Sequence, residues 1–76
     1  MQLRLLAFAS AADRAGFRER VVDYSPDETP RALVGRVAPG ISPEGIRVAV
    51  DCEYHDWDTP IGTADELAII PPVSGG

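Results

Sequence analysis

The chain predicts an α+β fold, a mixed sheet of four to five strands packed on one main helix. Three observations lead there. Two stretches with strand character, Met1 to Ala9 and Phe17 to Tyr24, come first. One helix then starts at Thr29-Pro30 and stops at Pro39-Gly40. Three further apolar stretches follow, Ile46 to Asp51, Tyr54 to Trp57 and Glu66 to Ile70, separated by turn residues. Runs of strands around a single helix form a sheet that can bury only one face on it. Seventy-six residues make one domain. A domain of that size buries about 60% of its unfolded surface and has no room for a deep enclosed substrate cavity.

In the first stretch, period-two alternation puts Leu3, Leu5 and Ala7 on one face and Gln2, Arg4, Leu6 and Phe8 on the other. The first set reads as core; the second begins polar and ends apolar. Ser10 is the expected N-cap of a short helical turn, Ala11 to Ala15, closed by Gly16. The second strand carries Arg18, Glu19 and Arg20, as an edge strand does. Ser25-Pro26-Asp27-Glu28 is a turn. Thr29 then caps the main helix with Pro30 at its first position, and Leu33 and Val37, four apart, share its buried face. Val48 and Val50 alternate inward in the third strand. Cys52-Glu53 is read as the following turn and Tyr54 to Trp57 as a short return strand, which Asp58-Thr59-Pro60 breaks. Ile61 is expected to plug the core before the last strand, whose Leu67 and Ile69 point inward and Ala68 and Ile70 outward.

That strand ends at Pro71-Pro72-Val73-Ser74-Gly75-Gly76. Proline lacks a backbone N–H and has a fixed φ, so two in succession stop a ladder and begin a stiff extended segment. Glycine has no Cβ and passes where other residues clash. The division expected is a folded domain, residues 1–70, and a flexible projecting tail, residues 71–76, whose free carboxylate on Gly76 can enter another protein's active site. The apolar outward set of Leu6, Phe8, Ala68 and Ile70 leads to that tail, and such a patch beside a functional element marks a partner surface.

Composition removes other function classes. Twelve acidic residues against seven basic ones give a net charge of −5, which repels a phosphate backbone and argues against nucleic acid. No apolar run spans a bilayer and no signal peptide is apparent, so membrane insertion is not expected and the cytoplasm is. An acidic chain is steered towards basic partner surfaces. All seven cations are arginine, so no side-chain amine can attack the chain's own activated terminus. Cys52 is the only cysteine and His55 the only histidine. Nothing flanking Cys52 supplies the positive charge that activates a thiol, and no Ser or Cys is placed to use His55 as a base. Asp51, Glu53, Asp56 and Asp58 lack the glycine and spacing of a calcium loop and read as a solvated hairpin.

The chain resembles the MoaD family, the small subunits of molybdopterin synthase, within the ubiquitin-like (β-grasp) sulfur carriers that include ThiS. The resemblance extends over essentially the whole chain. It rests on Phe8-Ala9 with Gly16 following, on Ala49-Val50, on Asp65-Glu66-Leu67, and above all on Pro71-Pro72-Val73-Ser74-Gly75-Gly76. Ala12 stands where the family usually has Arg, Asp51 where it has Asn, Ala64 where a turn Gly is common, and Ile69-Ile70 replaces an aromatic pair. The resemblance implies a β-grasp domain that binds no cofactor itself. A MoeB-like, E1-like adenylyltransferase would use ATP to convert the Gly76 carboxylate to an acyl-adenylate. A sulfur donor such as a cysteine desulfurase or rhodanese would then supply persulfide sulfur, leaving a thiocarboxylate. A MoaE-like large subunit would hold the catalytic side chains, in a heterotetramer, where the tail delivers sulfur to cyclic pyranopterin monophosphate. Gly76 would be the reacting residue, Gly75 its slim neighbour, and Phe8, Ile70, Pro71, Pro72, Val73 and Ser74 the docking residues. Two other readings stay open: a ThiS-like carrier for thiamine or another metabolite, and a ubiquitin-like modifier or pure binding module.

Overall fold

The computed structural model of the chain describes residues 1–72; the expectations for Val73, Ser74, Gly75 and Gly76 lie outside the described residues. Seven elements follow in order: β1 (Gln2–Ala7), α1 (Ser10–Ala15), β2 (Glu19–Asp23), α2 (Pro30–Val37), β3 (Arg47–Val50), β4 (Glu53–His55) and β5 (Glu66–Ile70). The five strands form one mixed sheet in the order β2-β1-β5-β3-β4. β1 and β5 run parallel at its centre, and the other neighbours are antiparallel. The last strand to be synthesised is therefore a central one, and it points the C-terminus away from the end of the sheet where β1 begins.

One face of the sheet packs on α2. Leu3, Leu5, Val48, Leu67 and Ile69 from the strands meet Leu33 and Val34 from the helix, none more than 2% exposed. Burying a side chain of this size completely stabilises by about 1.5–3 kcal/mol relative to leaving it in water. Ile61 joins this cluster as expected, its N–H donating to the Glu28 carbonyl. The helix residues differ in one respect from the sequence reading. Val34 is fully buried beside Leu33, while Val37 packs only partly covered against the rim of the cluster.

The local signals acted as read at α2. Thr29 Oγ1 accepts a hydrogen bond from the Ala32 N–H at 3.2 Å, and Pro30 occupies the first helical position without wasting a donor. Gly16 closes α1 at φ 86°, a left-handed cap open to glycine, with its N–H on the Ala12 carbonyl. The N-terminus of α1 is a correction. Ser10 is the first helical residue and not the cap. Ala9, at φ 49°, takes the cap position, and the carbonyls of Phe8 and Ala9 receive the N–H groups of Ala11 and Ala12.

The β3–β4 turn is a second correction. It is built on Asp51-Cys52, with Glu53 paired to Val50, so β4 runs from Glu53 to His55 and stops before Trp57. Asp51 and Cys52 both have positive φ, 48° and 70°, as a tight two-residue hairpin loop requires. Asp51 tolerates this because its Oδ1 accepts from the N–H groups of Asp65 and Glu66 at 2.9 and 3.1 Å, fastening the turn to the start of β5. Trp57 instead packs against the core and donates its indole N–H to the Ile46 carbonyl at 2.8 Å.

Tyr24 holds the long loop before β5. Its ring is buried, and its hydroxyl accepts from the Ala64 N–H at 2.8 Å while lying 3.0 and 3.1 Å from the carbonyls of Gly62 and Ala64. Tyr24→Phe keeps the ring but strips a buried N–H and a carbonyl of their partner. Such orphaned groups cost about 1–3 kcal/mol. The expected outcome is a melting temperature lower by roughly 5–15 °C in a domain of this size, measured by calorimetry, with the fold retained.

Candidate functional site

Among the described residues, the sheet face opposite α2 has no helix on it. Its register can be read row by row. Glu19, Leu6, Ala68, Ala49 and Tyr54 lie side by side across all five strands. Towards the C-terminal end of β5 the next row holds Ile70 beside Arg47, with Phe8 bonded through its N–H to the Ile69 carbonyl. Towards the other end come Val21, Arg4 and Glu66. The large apolar residues exposed among the described residues are Met1, Phe8, Val21 and Tyr54, and the last three all belong to this face. Phe8 is 50% and Tyr54 69% exposed, values that folding alone does not explain.

At the centre of this face is a depression of about 300 Å³, floored by Ala49 and Ala68 and walled by Leu6, Phe8, Tyr54 and Ile70. The sequence reading put Ala68 on an exposed surface. It does face outward, but it is only 8% exposed, its short side chain lying at the bottom of the depression beside Leu6 and Ala49. The small residues make the hollow and the larger ones its rim. Phe8 and Ile70 are thus brought together as expected. Val21, Ala49, Arg47 and Tyr54 share the surface and were missed. They lie on β2, β3 and β4, where the alternation alone cannot say which strands will be neighbours.

Pro71 continues directly from Ile70 and is half-buried; Pro72 is exposed. The tail base therefore leaves the central strand at the edge of the open apolar face. Val73, Ser74, Gly75 and Gly76 lie beyond the described residues.

The other sequence candidates are absorbed by local structure. Asp56 Oδ2 accepts from the Asp58 N–H and lies 3.2 Å from the Thr59 hydroxyl. Asp58 pairs with Arg31 at 2.7 Å, and that hydrogen bond holds the Asp58 carboxyl below its ordinary value. His55 Nε2 lies 2.9 Å from the Thr59 carbonyl, inside the same loop. The acidic run is loop architecture. Cys52 is exposed at the edge of the central depression. Among the described residues no group of three or more His, Cys, Asp or Glu could hold a metal ion, and no helix is long and apolar enough to cross a membrane.

Comparison with known proteins agrees with this geometry. The ThiS family pattern matches residues 5–76. The molybdopterin synthase sulfur carrier subunit of Dictyostelium discoideum is 36% identical over 83 aligned positions, covering 99% of this chain and 96% of that one. Among solved structures, small archaeal modifier protein 1 (SAMP1) of Haloferax volcanii superposes with a TM-score of 0.76 at 31% identity, with 100% of both chains covered. A Pyrococcus furiosus protein assigned as molybdopterin converting factor subunit 1 shares the fold, with a TM-score of 0.73 at 19% identity over 96% of this chain and 99% of that one. With its β-grasp sheet, a family match over residues 5–76 and a relative 36% identical over its length, the chain belongs to the ThiS family of MoaD-like carriers.

Proposed function

We propose that the chain is a sulfur carrier that works as the small subunit of molybdopterin synthase. The observation that carries this is the run Pro71 to Gly76, issuing from the central strand beside an open apolar sheet face, in a chain 36% identical to a molybdopterin synthase sulfur carrier subunit. The domain, residues 1–70, docks through that face; the tail, residues 71–76, carries the chemistry. A carboxylate is a poor acyl donor. Adenylation by an E1-like, MoeB-like partner with ATP releases pyrophosphate and gives the Gly76 carbonyl a good leaving group. The terminal sulfur of a persulfide on a cysteine desulfurase or rhodanese displaces AMP to give an acyl disulfide. A second thiol then attacks the donor's cysteine sulfur, which releases the thiocarboxylate and leaves the donor cysteine and that thiol as a disulfide. The tail then enters a MoaE-like large subunit, in a heterotetramer, and sulfur passes to cyclic pyranopterin monophosphate. The reaction sequence belongs to the cytoplasm, and this chain needs no cofactor of its own.

The test is an intact mass of the protein purified from its native cells, in which one terminal oxygen is replaced by sulfur. A terminal carboxylate throughout, with the chain recovered in amide linkage to lysines of other proteins, would instead establish a modifier. That second reading has one specific observation in its favour, the full-length 31% identity to small archaeal modifier protein 1. A ThiS-like carrier for thiamine would give the same mass; reconstitution with the large subunit and pyranopterin separates the two.

The docking face makes its own prediction. Phe8→Asp and Ile70→Asp place a charge on a surface that is already partly wet, so the domain stays folded. Desolvating that carboxylate against an apolar partner is costly, and binding to the large subunit and the adenylating enzyme is expected to weaken by at least about 30-fold. Titration calorimetry checks the affinity and circular dichroism the fold.

A further inference from the structure

Where the tail base leaves the sheet there is a concavity of about 520 Å³, bounded by Ile46, Arg47, Tyr54, Ile70, Pro71 and Pro72. It is distinct from the central depression but shares Tyr54 and Ile70 with it. No acidic side chain lines it, although the chain as a whole has a net charge of −5. Two carboxylates flank it without entering it: Glu44 lines the adjoining hollow with Ile46, Pro71 and Pro72, and Asp56 another with Arg47 and Tyr54. Several strand-end acids lie at the opposite end of the sheet. Asp23 pairs with Gln2 there, Glu66 with Arg4, Glu53 with Val50, and Asp51 is tied to the N–H groups of Asp65 and Glu66. The concavity contains one cation. The Arg47 guanidinium lies over the Tyr54 ring, 4.9 Å from its centre, and forms no ion pair among the described residues.

We propose that this Arg47–Tyr54 concavity is an anchor point for an Asp or Glu side chain of the adenylating partner, docked beside the mouth through which the tail enters. The proposal rests on the carrier reading above and names the chemistry of one contact within it. A guanidinium held over a ring keeps its in-plane N–H donors free for a carboxylate while its own motion is restricted, so less entropy is lost when the pair forms. Arg and Tyr are the residue types in which binding energy concentrates at protein interfaces. The surroundings favour a carboxylate over a nucleotide phosphate. A phosphate needs several converging donors, and Pro71 and Pro72 have no backbone N–H to offer. β4 is one of the two edge strands, so a protein surface can reach the site from the side. The overall charge of the chain points to a basic partner, as the composition implied, but at this corner the one lining cation, without an ion-pair partner among the described residues, offers a contact to an acidic residue within it.

The experiment uses the full-length carrier and its adenylating enzyme, with affinity measured by titration calorimetry at low and at physiological salt and turnover by ATP–pyrophosphate exchange. Arg47→Ala and Tyr54→Ala are expected to weaken binding about 10-fold and to raise KM for the carrier with kcat nearly unchanged, and Arg47→Glu to weaken it about 100-fold. Arg47→Ala also flattens the salt dependence of binding. Arg20→Ala is the charge-matched control. It pairs with inward-facing Leu5 on the β2 edge and stacks on Phe17, so it lies off the open face and is expected to change affinity less than about 3-fold. Arg47→Ala binding as tightly as Arg20→Ala, or more tightly than wild type, overturns the proposal. The tighter result would identify the chain's own terminal carboxylate as the occupant. A wild-type chain that is never adenylated overturns the carrier reading itself, and adenylation with an unaltered KM in Arg47→Ala overturns only the anchor.

Discussion

Deleting Gly76 is expected to leave the melting temperature unchanged within about 1 °C and to abolish both adenylation and sulfur transfer. The thermal half follows from where the core lies. Among the described residues the buried cluster runs from Leu3 to Ile69 and the last strand ends at Ile70, so the core seen there is complete before the final glycine. The chemical half follows from reach. Shortening the chain by one residue moves the reacting carboxylate by about 3.5 Å, and acyl transfer requires the reacting atoms to be placed far more closely than that. Adding one alanine after Gly76 displaces the carboxylate by the same length in the other direction and is expected to be equally damaging. Gly75→Val preserves length but adds a β-branched side chain to the segment that the proposed carrier threads into its partners, so it too is expected to fold and to fail. Pyrophosphate exchange with the adenylating enzyme and molybdopterin formation with the large subunit measure the two steps. Full activity of the shortened or extended chain, with mass spectrometry showing no trimming back to Gly76, would remove the basis for a carrier.

How much of this was legible beforehand depends on whether the signal is local. β1 and β5 could be read because each is buried on one face only, so apolar and polar or small residues alternate with period two. The α2 start was equally plain, since Thr29 and Pro30 act within a few residues of themselves. The end of β5 at Ile70 was legible because Pro71 and Pro72 cannot continue a ladder. The order of the strands was not. That β1 lies between β2 and β5, with β5 parallel to it, is a contact between residues more than sixty positions apart, and no local pattern encodes it. For that reason Val21 and Tyr54 were not seen to share a face with Phe8. The Asp51-Cys52 turn was misplaced by one residue because neither member is the glycine that usually announces such a turn. Asp51 uses instead a side-chain bond to the start of β5, fourteen residues on. Tyr24 gave no sign of its role either, because its partners lie about forty residues away.

The largest loss of stability is expected from Leu67→Ala. Leu67 is fully buried at the middle of the sheet, on β5 between β1 and β3, and its register partners are Leu5 and Val50. Removing its branched end leaves a cavity whose walls, ladders on both sides, cannot close in, and such changes cost about 2–5 kcal/mol. A 76-residue domain has about 4–11 kcal/mol of total stability. The variant is therefore expected to lose a large part of its stability, with a melting temperature lower by roughly 15–30 °C. Ile70→Ala, three residues further along the same strand, removes a comparable side chain from the open face, where it is only half-buried. It is expected to cost about 1 kcal/mol or less. The pair tests more than a core position. Period-two alternation ties the two residues together, so a slip of one position would exchange their roles and turn Phe8 and Ile70 into core residues. If urea denaturation finds Ile70→Ala the more damaging of the two, the docking face described here is the buried face, and the partner surface must be sought on the other side of the sheet.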